Sequence, residues 1–377
     1  MVIGSQVRSF TYPQSLYYSG KWCSIRYIPG SLTLDPGAWD DADNRFLAAL
    51  YNLTYERLHP NELPVDENNY DAVWEGYWRR ILNGLAGGSA VQICQGWGFD
   101  PSETGWLPPW WGGMTERPDV HFIVAVGVDF TNQNVHINDP IDGWSGQQGK
   151  DKPITFDDDS DVNFRDMIDR CGASQNQYIT ITYSGQATEV PRLEITVTKR
   201  IGAKILGLKN ETELFVYEDD ATWREYFEIA GGSINPANIV YGTNGLRRLC
   251  EDLEDDNFHG VITSSNSLPY DAVAYLDLSI YHYSQITAVA SEYLEYEGLI
   301  DAWEWMRELH MLYERMWISS AHIRDIFKMV TDSPSNLEAA INDSAIHRTN
   351  LRNTITEVAR HLETHQGVGY WTVDPLP

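Results

Sequence analysis

The sequence predicts an α+β chain, with an N-terminal domain built on an antiparallel sheet and a mainly α-helical C-terminal domain. Three observations carry this. Two apolar β-rich runs, His121–Phe130 and Val135–Asp139, flank the polar turn Thr131–Asn134, the pattern of a β-hairpin or tight strand pair. Near residue 187, alternation of period two gives way to helical spacing. The 377 residues, 42% hydrophobic and 12% aromatic, supply enough apolar material for two packed cores with little sign of disorder. The expected domains are therefore 1–186 and 187–377.

Taken in order, the first N-terminal helix is expected near Trp39–Asp43, running through Phe46 to Leu53 behind an acidic start. A long loop rich in Gly, Pro and Trp directly precedes His121. Its Trp97, Trp106, Trp110 and Trp111 form either a substrate-facing lid, since long loops often carry function, or a cover over the core. Phe164–Cys171 is expected as a helix and Gln177–Tyr183 as a strand with one buried face.

Beyond residue 187, Leu193–Thr198 is read as a short β-rich link. Helices are then expected at Thr222–Ile229, Thr243–Leu253, Asp271–Glu297 (one long helix or a broken pair) and Leu299–Met329. The last helix is expected to open with a capping box, Ser335 with Glu338, behind Pro334. Its Leu351, Ile355, Val358 and Leu362 form a narrow apolar seam suited to an antiparallel bundle.

Charge limits the partners. The net charge of -27, from 54 acidic and 27 basic residues, argues against nucleic acid and anionic membrane surfaces. Only 7 of the basic residues are lysines, a composition that fits a salt-tolerant cytoplasm. The acidic blocks Asp157–Asp161 and Glu251–Asp256 read as solvated faces; calcium at the first lacks the spacing of an EF-hand. Four scattered cysteines suggest neither a disulfide framework nor a zinc site. No metal or cofactor is expected. His361 and His365 share an i, i+4 face, but they lie near the chain end, where solvated or structural histidine is the expectation. No signal-peptide core or membrane-length apolar run is visible, so a reduced cytoplasm is expected. The oligomeric state is open.

The hairpin carries chemistry as well as fold. His121 begins one strand and Asp139 ends the next, so an antiparallel pairing brings the two ends side by side. A carboxylate there would fix the imidazole tautomer and raise its basicity, as a general base for a thiol requires. The alternative is a buried hairpin with an incidental His and a turn-forming Asp139-Pro140.

His121, an apolar strand ending in Val126, Gly127, Val128 and Asp129, a turn, and a second strand ending Asn138-Asp139-Pro140 resemble the papain-like peptidases that trim double-glycine leader peptides. The wider superfamily includes the N-terminal acyltransferase domain of butirosin biosynthesis protein H. Upstream, residues 81–95 resemble the leader peptidases' unit of helix, Gly, then strand before the His strand. The resemblance covers roughly residues 70–185. The stretch Tyr241–Leu249, opening a helical half, resembles the two-part layout of that second group. The likeness implies a papain-like N-terminal domain, His121 as base and Asp139 as its orienting partner. It also implies acyl transfer or amide cleavage through a thioester, without metal or organic cofactor. The substrate would be peptide or acyl-carrier-like.

The nucleophile is where the chain departs from that family, whose cysteine starts a long helix with a Gln shortly upstream. A helix N-terminus lowers a thiol pKa. Cys94, Cys171 and Cys250 read as small core hydrophobes. Cys23 has about the right chain position, with Gln14 upstream for an oxyanion hole, but Pro29-Gly30 follows and no long helix starts there. Either Cys23 attacks from a loop, with His121, Asp139 and Gln14 completing an active cysteine acyltransferase or peptidase, or the nucleophile is gone. In the second case the chain keeps the fold and binds a peptide, an acyl-type ligand or a partner protein.

Overall fold

The computed structural model describes residues 10–35, 41–58, 70–97, 119–138, 152–155, 180–209, 214–217, 239–264, 269–328, 330 and 334–372. In chain order the helices of eight residues or more and the strands are α1 (Tyr12–Ser19), β1 (Arg26–Ile28), β2 (Thr33–Asp35), α2 (Asp41–Leu50), β3 (Thr54–Leu58), α3 (Tyr70–Ala86), β4 (Val91–Trp97), β5 (Asp119–Asp129), β6 (Asn134–Asn138), β7 (Lys152–Thr155), β8 (Thr180–Ser184), α4 (Leu193–Leu206), β9 (Val240–Tyr241), α5 (Gly242–Asp252), α6 (Asp255–Ser264), α7 (Pro269–Tyr296), α8 (Ile300–Lys328), α9 (Pro334–Asp343) and α10 (Ala345–Glu363). Two antiparallel sheets and a helical C-terminal half make the chain α+β. It divides into two compact units, residues 1–10 with 48–189 and residues 11–47 with 190–377.

The first unit is a six-stranded sheet in the order β3-β8-β4-β5-β6-β7, with every pairing antiparallel. Helix α3 packs on it through a stripe at helical spacing. Tyr77 and Ile81, with half-buried Trp78 and Leu85, meet Val91, Ile93, Ala125, Val135 and Ile137 of the strands. The helix comes close enough that a Cβ on Gly84 would stand 2.5 Å from the Val91 side chain. The expected order of helix, Gly and strand is present, since α3 stops at Ala86 and Gly88 takes φ +78°. A left-handed residue there is cheap only for glycine.

The expected hairpin is also present. Asp129 pairs with Asn134 across a turn in which Gln133 is left-handed. The Asp129 carboxylate accepts hydrogen bonds from the Thr131 and Asn132 amides and from Asn132 Nδ2. These bonds close the loop from inside, the reason Asp and Asn are favoured in such turns. A β-bulge shifts the register between Ala125 and Gly127. Ala125 and Val128 both face the α3 core, although an odd separation would normally put them on opposite faces. The inserted residue, Val126, restores the phase.

The second unit corrects the simple division at 186/187, because residues 11–47 fold with the C-terminal half. Strand β1 is the centre of a three-stranded sheet, β2-β1-β9, pairing Arg26 with Asp35 on one side and with Tyr241 on the other. Around it, Tyr283 Oη donates to the Ser24 carbonyl and Tyr313 Oη to the Trp22 carbonyl. The buried Asp252 carboxylate takes the Tyr27 hydroxyl at 2.6 Å and the Gly30 amide at 2.7 Å. Asp252 is thus an anchor, although its acidic block was expected to be solvated.

The helical expectations fit closely for α5, α7 and α8. In α8 Met306, Leu309, Leu312, Met316 and Ile323 are buried, and in α10 so are Leu351, Ile355, Val358 and Leu362. Two expectations change. The last helix is two, broken at Ser344, and α9 begins at Pro334, so Ser335 lies inside its first turn. Glu338 pairs with His259 of α6 at 2.8 Å. The expected β-rich link is helix α4. Leu193, Val197, Ile201 and Ile205 are all buried at four-residue spacing, so burial of one face outweighs the strand preference of Ile195, Thr196 and Val197. The expected helices at Thr222–Ile229 and Phe164–Cys171 lie outside the described residues.

Helix α4 is held where only glycine fits. A Cβ on Gly202 would lie 2.0 Å from the Gly367 carbonyl oxygen, and one on Gly367 would lie 2.2 Å from the Thr198 carbonyl oxygen. Gly202→Ala is expected to lower the urea midpoint by an amount equivalent to about 1–3 kcal/mol, the usual cost of overpacking. Gly76→Ala, at a site with open space, should leave it unchanged or raised.

Candidate functional site

His121 lies in β5 and pairs in register with Gln95 of β4; Trp97, the last residue of β4, pairs with Asp119. On the other side the last described residue of β6, Asn138, pairs with Val124, three residues from His121. The hairpin therefore brings the end of β6 toward the part of β5 that holds His121. Asp139 itself, with Trp106, Trp110, Trp111, Cys171 and the block Asp157–Asp161, lies outside the described residues.

Cys23 belongs to the second unit, in the segment that folds with the C-terminal helices. It closes the short 3-10 turn Lys21–Cys23 and is fully buried. A residue at the end of a helical turn receives none of the amide donors that a helix start supplies. Its thiol donates instead to the Gly20 carbonyl at 3.2 Å. Burial pushes the thiol up to about 12, in spite of the opposing pull of Lys204 and Arg200. A thiol so held stays protonated at neutral pH, the opposite of an activated nucleophile. Gln14 is equally committed. It is the N3 residue of α1, where its side chain accepts from the Thr11 amide and its own amide donates to Thr11 Oγ1.

The segment around Cys23 contains a polar centre that sequence reasoning missed. Asp43, in the first turn of α2, accepts from Arg200 at 2.7 Å and from Lys204 at 2.5 Å, and both cations are fully buried. Arg200 also donates to the carbonyls of Ser19, Leu214 and Phe215 and sits 4.4 Å over the Phe46 ring. Burial acts to raise the Asp43 pKa, but Lys204 and Arg200 outweigh it and hold the carboxyl down to about 2. The available signal was two cations at i, i+4 inside an otherwise apolar helical stripe.

The histidines near the chain end take the structural one of the two expected roles. His365 is buried, its Nδ1 accepting from the Gly367 amide as a cap, with Trp305 and Trp22 against the ring. His361 stacks on Trp305 at 4.5 Å and bonds its carbonyl at 2.9 Å. Both are structural. Among the described residues no group of three or more His, Cys, Asp or Glu is placed to hold a metal, and no helix is long and apolar enough to cross a membrane.

No protein-family model matches the chain, and no curated protein matches it.

Two predictions follow from the buried charges. Asp43→Ala strands Arg200 and Lys204 in the core and should cost about 3–5 kcal/mol in urea unfolding.

Acid should weaken the fold in two separate windows. His365 is held down to about 4 by burial, aided by His361, so the unfolded chain takes up its proton first. Stability is then lost as pH falls from about 6.5 to 4, by about 3 kcal/mol. Asp43 contributes the second loss, below about pH 4. His365→Asn preserves the cap and should flatten the first window of a pH series of urea midpoints, leaving the second.

Proposed function

We propose that the chain is a divergent relative of the papain-like leader peptidases and thioester acyltransferases that lacks their nucleophile and works by binding. The ligand class is a peptide or acyl-type group, or a partner protein presenting one. Supporting the kinship are a helix packed on an antiparallel sheet, the Gly-Gly break into β4, and the hairpin whose first strand carries His121.

The observation that carries the non-catalytic reading is Cys23. Its thiol is buried, bonded to a backbone carbonyl and raised in pKa. Attack on a carbonyl needs a thiolate with access to substrate, and Cys23 has neither. With Cys23 withdrawn from attack, the sheet serves in this reading as a surface for recognition.

Brief iodoacetamide treatment of the native chain, mapped by mass spectrometry, tests this directly. Cys23 should label no faster than Cys94, Cys171 or Cys250. A second arm titrates tryptophan fluorescence with a synthetic peptide ending in Gly-Gly and with an acyl thioester of N-acetylcysteamine. Saturable binding without turnover is expected. Thioester hydrolysis or transfer that disappears in Cys23→Ser would overturn the proposal in favour of an active cysteine enzyme.

A further inference from the structure

The turn between α7 and α8 exposes apolar side chains where folding gives no reason for them. Tyr296, Leu299 and Ile300 are 85%, 48% and 53% exposed, three large hydrophobic residues within five positions. Half-buried Trp303 continues the same side one turn along α8.

The turn is rigid. Gly298 takes φ +68°, its amide donates to the Glu295 carbonyl, and the Leu299 amide donates to the Leu294 carbonyl. That pair of bonds is the Schellman closure of a helix end. The Leu299 carbonyl then accepts from the Trp303 amide, which makes Leu299 the N-cap of α8. Ser, Thr, Asp or Asn at that position would satisfy an open amide, and a residue without an acceptor forgoes about 1 kcal/mol. The chain instead places Leu there, and β-branched Ile in the first helical position. Local choices that lower stability tend to mark sites kept for another purpose.

Charge indicates what meets this knob. Glu292, Glu295, Glu297, Asp301 and Glu304 are all exposed around it, and no Lys or Arg occurs from Tyr283 to Met306. The next cation along the chain, Arg307, lies 5.2 Å over the Trp303 ring at the edge of the patch. A second copy of this chain, itself strongly acidic, would be repelled, as would an anionic membrane. An apolar centre with a predominantly acidic rim fits a partner of the opposite sign with an apolar face.

We propose that the α7–α8 turn is a docking knob for a basic protein segment with an apolar face, such as an amphipathic helix. Tyr296, Leu299 and Ile300 enter the apolar face, and the five carboxylates meet its cations. This surface lies in the helical unit and does not depend on the papain-like kinship.

The probe is a fluorescent 18-residue peptide of leucine and lysine with its leucines on one helical face. The control is the same composition scrambled so that no apolar face forms. Anisotropy titrations compare the native chain with Leu299→Ser and with Tyr296→Ser/Ile300→Glu, the Glu falling in a first turn that favours it. The patterned peptide should bind the native chain at least tenfold more tightly than either variant, and the scrambled peptide should show no such difference. Leu299→Ser should also hold or raise the thermal midpoint, separating lost docking from lost folding. Equal binding by native chain and variants overturns the proposal. So does sedimentation showing a concentration-dependent dimer that Tyr296→Ser/Ile300→Glu abolishes, since the occupant would then be a second copy.

Discussion

The second unit depends on one buried ionic contact, Asp43 with Arg200 and Lys204. Removing ions from water costs several kcal/mol each, and the contact offsets this only when geometry and hydrogen bonding are complete. Here both cations meet the same oxygen, Asp43 Oδ1, and three backbone carbonyls take further Arg200 donors. The buried Asp43 Oδ2 takes no hydrogen bond among the described residues, so the offset is large but incomplete. The partners are over 150 residues apart in sequence. The contact therefore fixes where residues 11–47 lie, and with them β1 and the turn that ends at Cys23. A hydrophobic contact would tolerate a shift of one helical turn, whereas a buried carboxylate between two cations does not. The register of the N-terminal segment on α4 is set by charge.

That constraint accounts for what the sequence did and did not reveal. The β5–β6 hairpin and helices α5, α7 and α8 are local structures, and their periodicity is written in consecutive residues. The seam Leu351, Ile355, Val358 and Leu362 could be read for the same reason. Strands β1, β2 and β9 have only three, three and two residues. Too short to show alternation, they exist because distant segments complete them. Helix α4 was misread because its β-branched residues spoke for strand. The Leu193, Val197, Ile201, Ile205 stripe spoke for helix, and the packing of that stripe decides.

The candidate site divides along the same line. His121 was legible because its strand is local, and its pairing with Gln95 follows from the β4–β5 register. Cys23 as nucleophile was one of two open readings and rested on chain position and the upstream Gln14, and position along a chain says nothing about which unit a segment joins. The neighbourhood speaks against a nucleophile. Trp22, Ile25 and Tyr27 beside Cys23 are bulky and apolar, and all are fully buried. A cysteine in such company is more readily a core residue than a nucleophile.

The same balance of burial explains why the acidic excess belongs to the surface. Among the described residues the buried cations Arg26, Arg200, Lys204 and Arg348 are matched in number by buried Asp41, Asp43, Asp252 and Asp277. The described core is thus close to neutral and accounts for none of the charge of -27. Charges at the surface repel one another through water and are screened within about 10 Å at moderate salt. The compact state therefore works against its own surface at low ionic strength and is relieved by salt. A basic ligand relieves it in the same way, locally and with release of that repulsion. The proposed docking of a basic segment would therefore draw on the same surface repulsion that opposes folding.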